Sequence, residues 1–160
     1  MASITIRLLK FQLFYDIENI TYTVGLNRNT GDNFEQVSNI QNNGECGDRH
    51  MMLRSIETGF NEIKRNLNRF VTESTVASTN TFTSGTDSFV LTLSMPGNFN
   101  QASVDSIKSA AHEYIVDHAL IDWFTAVKPD EVKIYAEKKA AANLNLLSAL
   151  YRKKAPTRPA

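Results

Sequence analysis

Residues 103–151 read SVDSIKSAAHEYIVDHALIDWFTAVKPDEVKIYAEKKAAANLNLLSALY, and this stretch decides the fold. Two periodic segments meet there at the corner Lys128-Pro129-Asp130. In the first, Val104, Ile107, Ala111, Tyr114, His118, Ile121 and Thr125 recur at steps of three and four, with Ile115 and Trp123 or Phe124 widening the stripe. In the second, Val132, Tyr135, Lys139, Ala142, Leu146 and Leu150 keep a similar beat, joined by Ala136, Asn143 and Leu147. That spacing is one face of an α-helix held over several turns. Pro129 followed by Asp130 and Glu131 opens the second helix, because proline lacks an N–H that would be unpaired there and carboxylates oppose the positive helix end. The stretch predicts a long helical hairpin, and residues 152–160 follow it as an extended basic tail.

Working outward, residues 48–71 form a third periodic segment. Asp48 is a suitable N-cap, and Leu53, Ile56, Phe60, Ile63, Leu67 and Phe70 step 3-4-3-4-3, while Arg54, Glu57, Glu62, Lys64 and Arg65 keep the other face polar. The expected core is Leu53, Ile56, Phe60, Ile63, Leu67, Ile107, Ala111, Tyr114, Ile121, Tyr135 and Leu146. Residues 73–94 lose the helical period. Phe89, Leu91, Leu93 and Met95 alternate with Val90, Thr92 and Ser94 as in a half-buried strand. An arm at residues 75–83 would pair with it through the turn-like Ser84-Gly85-Thr86-Asp87, giving a β-hairpin at about residues 75–95. Pro96-Gly97 stops the strand, and Asn98 or Asn100 caps the next helix.

Residues 4–22 support two patterns. Leu9, Leu13, Ile17 and Ile20 lie on one helical face, while Ile4 and Ile6 alternate. The helix formers in residues 8–13 favour a helix from Ile4 to Ile17, followed by a β-prone stub, Thr21-Tyr22-Thr23-Val24, closed by Gly25. Residues 27–47 are rich in Asn, Gly, Asp and Gln, a turn-forming composition in which Phe34 and Val37 would pin a short turn of helix to the core. A loop of that length is usually functional or interfacial. The fold class is mainly α with a β-hairpin (α+β). It comprises one helical-bundle domain over residues 1–151 and an extended C-terminal arm over 152–160.

At 160 residues, 42% hydrophobic and 21% charged, the chain is of ordinary globular composition and long enough for one core. Seventeen acids balance seventeen bases, so no global charge draws it to nucleic acid. Residues 152–158 carry four positive and no negative charges, which leaves −4 on the remainder. The one cysteine, Cys46, excludes an internal disulfide framework and is expected as an inert thiol in a polar loop. No apolar run reaches the ~18 residues of a membrane span, and the first residues lack the pattern of a signal peptide.

No catalytic motif is present, and no catalytic, cofactor-binding or metal-binding residue is expected. His112 and His118 stand six apart in the run His-Glu-Tyr-Ile-Val-Asp-His, whereas a zincin requires the second histidine four residues after the first. His118 is expected as a partly buried, hydrogen-bonded histidine, and Trp123 as an aromatic plug under the Pro129 corner. Neither a Gly-x-Ser-x-Gly elbow nor a glycine-rich phosphate loop occurs. The arm is the candidate site. Tyr151, Arg152, Lys153, Lys154 and Arg158 combine an aromatic ring with cations, and Pro156 and Pro159 hold the segment extended, a form suited to docking in an acidic groove of a partner.

The order of elements, with the helix EVKIYAEKKAAANLNLLSALY at residues 131–151 and the tail YRKKAPTRP at 151–159, resembles the neck proteins of tailed bacteriophages, in the head-tail connector or adaptor class. The resemblance covers most of the chain in layout and rests on no diagnostic motif. It implies a non-enzymatic structural protein of the virion neck, made in the bacterial host cytoplasm and assembled as a homo-oligomeric ring. The implied partners are the portal and other neck or tail proteins, with genomic DNA passing through the channel without specific binding and no membrane involved. The long polar loop and the β-rich middle depart from the barest all-helical adaptors, which leaves the tail-completion (terminator) class open. The rivals from other classes are a nucleic-acid-binding accessory protein using the basic tail and a small enzyme using His112, Glu113 and Asp117.

Overall fold

The computed structural model describes residues 2–42, 44, 46–72, 80 and 88–159. Its first element is a strand. In β1 (Ala2–Leu9), Ile4, Ile6 and Leu8 are buried while Ser3, Thr5, Arg7 and Leu9 face outward, the two-residue period of a sheet with one covered face. The expected helix from Ile4 to Ile17 is therefore corrected. β1 pairs antiparallel with β2 (Ser88–Met95) in the register Ile4↔Leu93, Ile6↔Leu91 and Leu8↔Phe89, so the inward residues of both strands form one apolar layer. Local propensity lost to a partner more than eighty residues away in sequence.

The chain passes from β1 directly into α1 (Lys10–Asn27), which buries Leu13, Phe14 and Ile17 at helical spacing. The expected β-stub at residues 21–24 lies inside this helix. There the Thr21 hydroxyl donates to the Glu18 carbonyl at 3.0 Å and accepts from the Asn42 amide at 3.0 Å, so it is satisfied without leaving the helix. Gly25, expected to close the stub, is also helical. A Cβ there would stand 2.6 Å from the Gln41 side chain, so its lack of a side chain lets the segment after α2 (Phe34–Ile40) close on α1. Val37 and Ile40 are the buried residues of α2, whereas Phe34, expected to pin it, is 68% exposed.

α3 (Cys46–Asn66) begins two residues before Asp48, which sits in its first turn rather than capping it. Cys46 thus opens a helix instead of lying in a loop. Ile56, Ile63 and Leu67 are fully covered, as the 3-4 spacing requires. Beyond α3 the backbone runs along the other edge of β2. The Thr72 amide donates to Thr92, the Ser94 amide donates to Phe70, and Val71 bridges Leu93. The expected hairpin arm at residues 75–83 and its turn at 84–87 lie outside the described residues, apart from Asn80, whose carbonyl accepts from the Arg54 guanidinium at 3.1 Å.

Asn100 caps the next turn, accepting from the Ala102 amide at 3.0 Å. α4 (Val104–Val127) follows. It buries Ile107, Ala111, Ile115, Ala119, Leu120 and Phe124 among others, around most of its circumference, and packs against α1, α2, α3 and β1 as well as α5 (Val132–Leu150). A helix covered on most sides is the centre of its fold. Phe124 stacks on Tyr135 at 5.2 Å, and Tyr114 lies under the Lys139 ammonium at 5.1 Å, which aligns α4 and α5 antiparallel across the Pro129 corner. Every expected core residue is buried except Ile121, which is partly covered. The described chain is mostly helical, with five α-helices and one two-stranded antiparallel sheet.

Candidate functional site

The arm has two parts. Tyr151 follows α5 and meets Phe70 edge-on at 5.7 Å. The Asn100 amide then donates to the Arg152 carbonyl at 3.0 Å, and the Lys154 amide to the Asn98 carbonyl at 2.8 Å, with Lys153 bridged to Phe99. Phe99 is buried, so this short clamp is tied to the core. Arg152, Lys153, Lys154 and Arg158 all keep their side chains exposed, and residues 155–159 continue without regular structure. The geometry is an anchored base and a projecting basic end. The clamp uses backbone groups alone, leaving the cations available to a partner.

The outer face of α1 is the second unpartnered surface. Phe11 and Tyr15 are each 61% exposed, Tyr22 is 54% and Leu26 is 47%. At 100° per residue these four fall within about 60° of one another around the helix. They form an apolar, largely aromatic stripe opposite the buried residues Leu13, Ile17 and Thr21. The sequence carried this signal at i, i+4, i+11 and i+15, but it was hidden while the helix was expected to begin at Ile4 and end at Ile17.

His112 and His118 face different neighbours. His112 Nε2 lies 2.5 Å from Asp16 Oδ2 on α1. His118 belongs to a polar cluster between α3, α4 and α5. Its Nδ1 accepts from Lys139 Nζ at 2.9 Å, and its Nε2 stands 3.7 Å from Asp122 with no hydrogen bond. Lys139 also contacts Glu62 at 3.2 Å, and Tyr114 donates to Glu62 at 2.5 Å. Burial and then the Lys139 charge push the His118 pKa down, while Asp122 and Glu62 oppose them. Burial pushes Glu62 up, but hydrogen bonds from Tyr114 and Lys139 and the nearby cations outweigh it, so its net direction is down. Tyr114 is pushed up by burial and by Glu62. A neutral imidazole accepting from an ammonium is a structural joint between helices, and Gly59 permits it, since a Cβ there would stand 3.3 Å from the His118 ring.

Trp123 is buried, as a plug would be, but at a different place. Its indole N–H donates to the Ile40 carbonyl at 2.7 Å, so it fastens the end of α2 to α4. Phe124 and Tyr135 fill the space beneath the corner instead. Arg28, just past α1, pairs with Glu131 at the start of α5, and this pairing raises the Arg28 pKa.

His112, Glu113 and Asp117 do converge. All three line one cavity of about 760 Å³ between α4 and the β1–α1 segment. Among the described residues no group of three or more His, Cys, Asp or Glu is placed to hold a metal ion, and no helix is long and apolar enough to cross a membrane. Comparison with models of protein families, with curated proteins and with solved structures gives no match to this chain.

Proposed function

We propose that the chain is a structural virion protein of a tailed bacteriophage, a connector subunit that assembles as a ring at the head–tail neck and lets DNA pass. In that reading a helical bundle with the α4–α5 hairpin forms the body of the subunit, and the basic arm reaches a neighbouring neck protein. The helix over residues 131–151 and the basic tail that follows it, on which the resemblance rests, carry the family part. The exposed stripe of Phe11, Tyr15, Tyr22 and Leu26 carries the assembly part. Exposed apolar side chains gathered on one helix face favour contact with another molecule, and aromatic residues are enriched in such contacts. The balanced net charge fits a channel through which DNA slides without adhering.

Electron microscopy and mass photometry of the full chain, alone and with purified portal, test this. The expected result is a closed ring with a central channel, which the double substitution Phe11→Ser, Tyr15→Ser converts to monomer. Exposed positions of this kind cost little folding stability. A monomer at about 50 μM, alone and with portal, overturns the reading, since a stable interface of standard size associates well below that concentration.

A further inference from the structure

Two surfaces at opposite ends of the molecule complement each other. At one end Phe34 opens α2 and is 68% exposed, with Asp32 and Glu35 exposed on either side of it. The turn that carries this ring is held by its own side chains. The Thr30 amide donates to Asn33 Oδ1 at 2.8 Å, and Asn33 Nδ2 donates to the Arg28 carbonyl at 2.7 Å. Arg28 is paired in turn with Glu131, so the acid-flanked ring stands at the Pro129 corner of the α4–α5 hairpin. An aromatic side chain presented to water on an ordered turn adds nothing to its own core and loses little freedom on docking.

At the other end Phe70, Phe99 and Tyr151 line a hollow of about 520 Å³, where the segment after α3 meets the start of the arm. Arg69, Arg152 and Lys153 rim it. Among the described residues no carboxylate lines this hollow, and none of its three cations has an ion-pair partner. In a chain with seventeen acids and seventeen bases, that makes an aromatic hollow selective for an apolar group carrying negative charge. The two surfaces cannot meet within one chain. The hollow adjoins the start of α4 and the end of α5, the Phe34 turn adjoins the opposite ends, and the 24 residues of α4 span about 36 Å.

We propose that Phe34 of one copy seats in the Phe70–Phe99–Tyr151 hollow of a second copy, with Asp32 and Glu35 meeting Arg69, Arg152 and Lys153. The ring supplies apolar contact area, and the charge-assisted bonds fix the orientation. Two unlike patches meet, so the contact is head to tail, the kind that closes into a ring when the rotation per subunit allows it. The proposal rests on the self-association proposed above and gives it a direction. Lys154 and Arg158 on the projecting arm stay available to another protein.

Two charge-reversed chains test the pairing, one carrying Asp32→Lys and Glu35→Lys, the other Arg69→Glu and Arg152→Glu. All four positions are exposed, so the fold should hold. Sedimentation velocity of the native chain, each variant and their equimolar mixture measures association. Each variant alone has like charges on both surfaces and should associate at least about tenfold more weakly than the native chain. In the mixture every surface finds an opposite one, and association should return to within about threefold of native. Native-like association of both variants gives the hollow to an acidic segment of another protein and overturns the proposal, while the ring reading stands. Weakening in only one variant, or no recovery in the mixture, overturns it too. A native chain that stays monomeric at about 50 μM overturns this contact, and one that does so with portal present overturns both readings. Should a reversed chain fail to fold, Phe34→Ser and Tyr151→Ser carry the test at the same tenfold threshold.

Discussion

Asp117→Asn, at a buried position, should stabilise the protein at neutral pH. The amide nearly matches the carboxyl in volume, so the packing around residue 117 is kept and only the ionisable group is removed. In the folded chain the carboxyl titrates at about 6, against 3.8 for an unburied aspartate. Between these values the folded state holds a proton that the unfolded chain has released, so stability falls as pH rises through that window and levels off above it. At about 1.4 kcal/mol per pH unit, the ionised group costs about 3 kcal/mol above pH 6 relative to its protonated form. Asparagine carries no such term. The gap in unfolding free energy between variant and native chain should therefore widen by about 2.4 kcal/mol from pH 4 to pH 7, in favour of the variant. Urea denaturation of both proteins across that range measures it. Subtracting one protein from the other removes the opposite dependence of His118, whose lowered pKa makes the fold lose stability as pH drops below about 6.5. A gap constant within about 0.5 kcal/mol would show that Asp117 is solvated in solution and that burial does not govern it.

Phe60→Ala should lower the unfolding free energy by about 3–5 kcal/mol in urea, since the ring is 7% exposed and packs against Phe89 at 5.0 Å; a loss below about 1 kcal/mol would contradict that packing. Lys139→Met should raise the His118 pKa followed by proton NMR, because the ammonium beside its Nδ1 is removed; an unchanged or lower value would deny their contact. Deleting residues 155–160 should leave the melting temperature unchanged and abolish incorporation into particles. Deleting 152–160 should in addition cost about 1–2 kcal/mol of stability, because the backbone bonds to Asn98 and Asn100 go with it. Normal incorporation of either truncated chain would reduce the arm to a solvated terminus.

The helices were legible where burial follows one stripe. In α3 the apolar residues repeat cleanly against a charged face, and all five expected core positions between Leu53 and Leu67 are buried. The N-terminal segment was not legible, because Leu9, Leu13, Ile17 and Ile20 satisfy a helical template while Ile4, Ile6 and Leu8 satisfy a strand template. A two-residue period over so few residues competes poorly with good helix formers. What decides it is the apolar edge of β2, far along the chain, which single-sequence periodicity cannot pair with residues 4–8. The strand at residues 88–95 was read correctly, and its inward residues Leu91 and Leu93 are fully buried, while its pairing with β1 went unforeseen and the expected arm at residues 75–83 lies outside the described residues.

The same logic explains why the α1 stripe and the buried Asp117 were hidden. A stripe on α1 can be recognised as surplus only once the helix is known to run from Lys10 to Asn27 and to have spent Leu13, Ile17 and Thr21 on the core. Before that, Phe11 and Tyr15 count simply as more apolar residues. Asp117 poses the harder case. On an amphipathic helix the run His-Glu-Tyr-Ile-Val-Asp-His would place its polar side chains in water, and a buried aspartate would be improbable. α4 is instead enclosed by α1, α3, α5 and β1, so several polar side chains have no solvent to face. His112 and His118 each find a partner on an adjacent element, Asp16 and Lys139 respectively. Asp117 Oδ2 finds none among the described residues and is closed off from solvent. A helix enclosed on most sides can hold a polar group out of reach of both a partner and water, and burial then pushes its pKa up, as it does for Asp117.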